Sequence, residues 1–139
     1  GPAICFQMLD APMLDDRTCV HPDPHPYTGE FVWTVDRNRY GWASLLGMEP
    51  GTPEVPTAAV PARAADLSGL PAAFISVGAL DLFLEENLDY ARRLTRAGVP
   101  VELHVMPGAY HGAGMAAQAP QMQQAAALRL AALRQAFDL

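Results

Sequence analysis

Two titratable residues stand where an open α/β sheet gathers its chemistry. Asp81 ends the run Val77-Gly78-Ala79-Leu80-Asp81, and His111 ends Met106-Pro107-Gly108-Ala109-Tyr110-His111. Each follows a short apolar stretch that reads as a strand, and open α/β sheets collect their functional groups just past the C-terminal ends of strands. If the two strands are parallel neighbours, the loops lie side by side and an Asp–His hydrogen bond is within reach. A carboxylate on one imidazole nitrogen fixes the tautomer and stabilises the imidazolium, which leaves the other nitrogen free as a base. Plainer accounts exist for both residues. A loop Asp ahead of a helix commonly caps it, and a loop His is commonly just solvated. Spacing alone does not choose between them.

No nucleophile accompanies the pair. The serines are Ser44, Ser68 and Ser76, and none has glycine two residues away on both sides, as the G-x-S-x-G elbow requires. Cys5 and Cys19 lack that setting too, and two cysteines make no disulfide framework, so both are read as reduced thiols. His21-Pro22-Asp23-Pro24-His25 could be drawn as a metal site, but the prolines extend it and no third ligand is in view. A solvated loop is the better reading. Asp15, Asp16 and Arg17 read as a local network holding their loop, and His104 as an outward residue on an edge strand. Trp33 and Trp42 fit either a core or a pocket wall.

The elements that must position Asp81 and His111 can be laid out along the chain. Ile4 to Leu9 is apolar apart from Gln7 and lacks alternation, as a strand covered on both faces does. Asp10 to Pro26 is loop-like. Asn38 to Leu46 suits a short helix stopped by Gly47, and Pro50 to Pro61 is Pro-rich. This middle region is expected to wrap a surface or rim a pocket. Ala72 to Val77 is a second strand. A helix follows from about Phe83 to Ala97, with Leu84, Leu88, Ala91 and Leu94 at helical spacing. Asp89 and Arg93 form an i,i+4 pair on it, and Glu85 and Glu86 sit in its first turn. Gly98 stands where a helix C′ residue belongs. In Val101 to Met106, Val101, Leu103 and Val105 alternate with Glu102, His104 and Met106, which predicts an edge strand wet on one face. A last helix runs from about Pro120 to Phe137. The order predicts an α/β fold of about three parallel strands with flanking helices.

The bulk composition agrees. The chain has 139 residues, half of them hydrophobic and 17% charged, which is enough to bury one core and too apolar for a disordered chain. No internal repeat or second domain is visible, so residues 1–139 read as one unit. A net charge of −6 argues against nucleic acid or an anionic membrane as a principal partner. No apolar run approaches a membrane span. Gly1-Pro2-Ala3-Ile4 lacks the positive start of a signal peptide, so a cytoplasmic location is the expectation.

Six segments in order resemble the hormone-sensitive-lipase-like esterases of the α/β-hydrolase fold. They are Ala11-Pro12-Met13-Leu14-Asp15-Asp16-Arg17; Asn38-Arg39-Tyr40-Gly41-Trp42 with Leu45-Leu46-Gly47; Pro61-Ala62-Arg63-Ala64 with Asp66-Leu67-Ser68-Gly69-Leu70-Pro71; Val77 to Phe83; Tyr90 to Leu103; and Pro107 to Gly112. The resemblance implies that Asp81 is the triad acid and His111 the general base, and that Glu86 has a structural capping role. It implies a Ser-His-Asp acyl-enzyme route on a small apolar ester, with no cofactor and no metal. One departure is Ala113, where the family usually has Phe two residues after the histidine, which should widen the pocket wall. The larger departure is that neither G-x-S-x-G nor an H-G-G-type oxyanion loop occurs. The expectation is therefore the C-terminal half of an α/β-hydrolase domain, inactive alone, whose partner is the missing N-terminal half of the same protein. The family's pairing of the first strand with the nucleophile strand implies a bare edge at Ile4–Leu9. An alternative function follows from it: a fragment that self-associates or binds a partner, for instance as a homodimer through that edge or through Val101–Met106.

Overall fold

The computed structural model describes residues 2–138. Three strands, β1 (Phe6–Asp10), β2 (Ala72–Gly78) and β3 (Val101–Met106), form one parallel sheet in the order β1-β2-β3. The register pairs Phe6 with Ala72, Ala73 with Val101 and Gly78 with Met106. Parallel pairing requires crossovers, and two are present. The first, residues 11–71, contains helix α1 (Val35–Leu46) and several short turns; the second is helix α2 (Leu84–Arg96). Helix α3 (Pro120–Ala136) closes the chain's last layer.

Period-2 side-chain alternation sorts the strand residues onto two faces. Ala73 and Ile75, with Leu9, Val101 and Leu103, face α2 and pack against its Tyr90, Ala91 and Leu94. The opposite face carries α3, whose Arg129 forms an ion pair with Asp10 at the end of β1. β2 is buried along nearly its whole length, and β1 is half-buried from Phe6 to Leu9. The strand predicted from Ile4 therefore begins later, at Phe6, and is covered less completely than a central strand.

Three other details depart from the sequence reading. The buried face of α2 is Glu86, Asn87, Tyr90, Ala91 and Leu94, whereas Leu88 is exposed. At 100° per residue Leu88 lies well off the line through Asn87, Ala91 and Leu94. Asp89 pairs with Arg92 at 2.6 Å, not with Arg93, which instead donates to the carbonyls of Ala62 and Ala64. On β3 the alternation fails at its end: Val105 is exposed, while His104 packs against Phe74 at 5.3 Å and lies 2.7 Å from Glu102. β3 is an edge strand with a neighbour on one side only, and its last residues are less fully covered than those of β2.

The middle region does more than wrap a surface. Cys19, Trp42, Val55 and Val60 form a second small core, with Met13, Leu46 and Ala62 against it. α1 contributes Trp42 because Thr34 caps its start, its Oγ accepting from the Arg37 N–H, and Gly47 ends it at φ +67°. Cys19, within the stretch read as loop-like, is buried there.

Asp16 ties together distant parts of this middle region. Its carboxylate is fully buried, accepts two guanidinium bonds from Arg63 at 2.7 and 2.8 Å, and takes the Gly51 N–H at 2.6 Å. Asp15 and Arg17 do form the expected local pair, at 2.8 Å.

Glu86 holds the same segment to α2. One of its carboxyl oxygens accepts the Leu14 N–H at 2.7 Å and the other faces the Thr18 hydroxyl. It thus caps the loop after β1, not its own helix. Burial pushes its carboxyl from the ordinary 4.5 up to about 8, against the pull of the Thr18 and Leu14 donors. The folded chain keeps this proton across the window from about 4.5 to 8 while the unfolded chain releases it. The group's contribution to stability is therefore full below about 4.5 and is lost as pH rises through about 8. Thermal unfolding at pH 5 and pH 8 checks this. The decline in Tm with rising pH is expected to be shallower in Glu86→Gln, which keeps the shape and does not titrate. An identical decline would show that Glu86 is not its source.

Candidate active site

Asp81 and His111 are brought together by the two adjacent strand ends. The loop after β2 and the loop after β3 are joined by backbone hydrogen bonds: Ala79 N–H donates to the Met106 carbonyl at 2.9 Å, and Leu80 N–H to the Ala109 carbonyl at 2.9 Å. Gly78 makes this approach possible. A Cβ at Gly78 would sit 2.3 Å from the Ala109 carbonyl oxygen. Gly78→Ala is expected to cost about 1–3 kcal/mol, as overpacking against backbone does. Urea unfolding midpoints check it, and an unchanged midpoint would mean that the loops can part without penalty. The role of this glycine was not read from the sequence; a glycine closing an apolar strand ahead of a polar loop is the signal that was there to use.

Within this frame the Asp81 side chain is 1% exposed. Its Oδ1 accepts the Phe83 N–H at 3.0 Å, and its Oδ2 lies 3.0 Å from Nδ1 of His111. The plainer reading of Asp81 is thus partly met, since it serves the start of α2 and faces the histidine at once. Burial holds the Asp81 carboxyl above its ordinary value, and the Phe83 amide and the imidazole offset part of that rise. His111 joins a cluster of three rings, in which Phe83 and Trp33 also meet each other at 6.2 Å. Phe83 meets it edge-on with centroids 5.2 Å apart, and Trp33 lies 5.5 Å away. Trp33 therefore borders the site, whereas Trp42 is core.

A cavity of about 320 Å³ opens beside His111 toward α3, walled by Gly78, Met106, Ala113, Met115 and Met122. Ala113 stands in this wall. At its far end Asp10 accepts the Ser76 hydroxyl at 2.6 Å and pairs with Arg129.

The remaining residues singled out in the sequence lie elsewhere. Ser76 is buried in β2 with its hydroxyl on Asp10, Ser68 donates to Asp66 at 2.8 Å in a turn, and Ser44 is exposed on α1. Among the described residues no serine hydroxyl is hydrogen-bonded to His111. His21 and His25 use their Nδ1 atoms on the backbone of Asp23 and Tyr27. Among the described residues no three His, Cys, Asp or Glu side chains converge to hold a metal ion, and no helix is long and apolar enough to cross a membrane.

A parallel sheet with helices on both faces is consistent with part of an α/β hydrolase, and the family model described as the alpha/beta hydrolase fold matches residues 1–115. The chain is 38% identical to the esterase LipI of Mycobacterium tuberculosis over 153 aligned positions, covering 96% of this chain and 42% of LipI. It is 42% identical over 84 residues to the carboxylesterase NlhH of the same organism, covering 60% of this chain and 26% of NlhH. Among solved structures, a bacterial heroin esterase superposes with TM-score 0.82 at 35% identity, over 94% of this chain and 42% of that one. The esterase LipW from Mycobacterium marinum superposes with TM-score 0.78 at 36% identity, over 98% of this chain and 42% of that one. The chain belongs to the hormone-sensitive-lipase-like family of α/β hydrolases, and it spans less than half the length of these relatives.

Proposed function

We propose that this chain supplies the acid and the base of a serine carboxylesterase, with the serine contributed by polypeptide outside these 139 residues. The observation that carries the reading is the 3.0 Å contact between the buried Asp81 carboxylate and Nδ1 of His111, at adjacent strand ends. With Nδ1 engaged, Nε2 is the free basic nitrogen. It would take the proton from the serine hydroxyl as the oxygen attacks the ester carbonyl, and give it to the departing alkoxide as the acyl-enzyme forms. Water then repeats the cycle: Nε2 takes its proton, hydroxide attacks the acyl carbonyl, and the proton returns to serine as the acid leaves. Asp81 stabilises the imidazolium in both halves. The Met- and Ala-walled cavity beside His111 favours a small apolar group on the ester. No cofactor or metal enters this scheme.

A second reading has its own observation. β1 is one of the two outer strands of the sheet, and the residues leading into it, Ile4 and Cys5, are exposed, Ile4 at 73%. Such an edge pairs readily with another chain. One experiment separates the readings: turnover of a p-nitrophenyl ester by the chain alone and by the chain joined to a segment bearing G-x-S-x-G, with sedimentation of both. Turnover only in the joined form is expected. Turnover by the chain alone would sink the proposal. An inactive joined form with a self-associating chain would favour the binding role.

A further inference from the structure

The stretch Phe31-Val32-Trp33 carries strain next to the histidine. Val32 has φ +59°, a left-handed conformation that a β-branched residue rarely adopts. The Trp33 N–H donates back to the Phe31 carbonyl at 2.7 Å, closing a three-residue turn across Val32. The positive-φ form of this γ-turn is rare and strained. Strain of this kind persists where the surrounding packing over-determines it, and it concentrates at functional sites. Here the packing is identifiable. On one side of Val32, Phe31 meets Tyr110 at 5.6 Å, and on the other Trp33 meets His111 at 5.5 Å. The Arg37 guanidinium donates to the Val32 carbonyl. The Trp33 indole N–H donates to Oδ1 of the fully buried Asn38 at 3.3 Å, which anchors the ring from the first turns of α1. The strained turn therefore aims two rings at two consecutive residues of the histidine loop.

We infer that Trp33 is a positioning residue for His111, holding the imidazole so that Nδ1 stays on Asp81. This rests on the roles proposed above for Asp81 and His111. The His111 side chain is 26% exposed and has one side-chain hydrogen bond, to Asp81. The χ2 torsion of histidine is broad and roughly two-fold, so one hydrogen bond leaves the ring room to turn. The indole at 5.5 Å, itself braced by Phe83 at 6.2 Å, and the perpendicular Phe83 ring at 5.2 Å remove that room. A ring that turns away exchanges its proton between the two nitrogens, and whenever Nε2 carries it the base is lost. A tryptophan that merely fills space would support the fold and leave the tautomer alone.

The test is the tautomer itself, read from imidazole proton–nitrogen correlations of the ¹⁵N-labelled chain at a pH where His111 is neutral. The native chain is expected to show the proton on Nδ1 and a bare Nε2. Trp33→Ala is expected to give a mixture of tautomers with the native amide spectrum retained, and Trp33→Phe, which restores a flat ring, to return the proton to Nδ1. A native tautomer in folded Trp33→Ala overturns the inference. Should Ala at 33 unfold the chain, Trp33→Leu, apolar but not flat, takes its place, and a native tautomer there overturns it equally. Asp81→Asn marks the signature of a lost partner. If the native chain already shows that signature, the Asp81–His111 pairing fails and this inference fails with it; loss of the inference alone leaves the native pattern intact.

Discussion

Asp81→Asn is expected to lower kcat for ester hydrolysis by on the order of 10⁴-fold in the serine-complemented enzyme, with KM little changed. The geometry gives the reason. The Asn oxygen can keep the Phe83 N–H that Oδ1 now accepts, so the turn leading into α2 is retained. The amide nitrogen then faces Nδ1 of His111, where Oδ2 now lies at 3.0 Å. A donor in that place requires Nδ1 to accept, which drives the imidazole proton onto Nε2. The base is then occupied before the reaction begins, and the imidazolium that forms later has no anion beside it. Steady-state kinetics on a p-nitrophenyl ester check this, with urea unfolding alongside to show that the fold survives. Turnover within tenfold of the parent would remove Asp81 from the acid role. An equal loss of stability and activity would instead point to a structural part for the residue.

Asp16→Ala is expected to cost about 3–5 kcal/mol of stability, the range for breaking a buried ion pair by removing one member. Asp16 is 0% exposed and its Arg63 partner 13%, so little solvent screens what is left. Without Asp16 the guanidinium keeps a bond to the Thr52 carbonyl but loses both carboxylate bonds, and the Gly51 N–H loses its acceptor. Burial pushes the Asp16 carboxyl up, but Arg63 and the Gly51 amide outweigh burial and hold it below its ordinary 3.8. Its contribution is accordingly full above that value and lost as pH falls through the lower folded one. Urea midpoints near neutral pH give the magnitude, and Asp16→Leu with Arg63→Met isolates the cause. Replacing the pair by apolar groups of similar size is expected to recover most of the loss, because the unpaired buried charge is the principal penalty. A double variant as unstable as Asp16→Ala would show that the lost acceptor for the Gly51 N–H, and not the unpaired Arg63 charge, carries the effect.

Of the two buried carboxylates, the sequence connected one to its partner and not the other. Asp81 and His111 were legible as a pair because each follows an apolar run, and parallel neighbours place such loops together. Asp16 was legible only as part of a local cluster with Asp15 and Arg17. Its actual partner, Arg63, lies 47 residues away in sequence. Several basic residues were equally reasonable candidates in sequence. Arg93 shows the same limit: its spacing from Asp89 suited an ion pair, but the carbonyls of Ala62 and Ala64 needed a donor, and the guanidinium went there.

By itself the sequence determined what is local and repeated. The apolar runs without alternation, the helix ending before Gly98 and the order of strands and helices carried the parallel α/β fold, and the loop motifs carried the family. These features survive because each residue's burial is set by neighbours two to four positions away, through the strand and helix periods. Tertiary structure decided what must be satisfied at a distance: which face of α2 is buried, why Gly78 cannot carry a Cβ, what holds the Asp16 charge, and which ring lies against His111. A buried polar group or a close backbone approach has to find its complement somewhere, and many residues could supply it on local grounds. Only when the crossover from β1 to β2 closes over the sheet is one of them, such as Trp33 beside His111 or Arg63 on Asp16, in place.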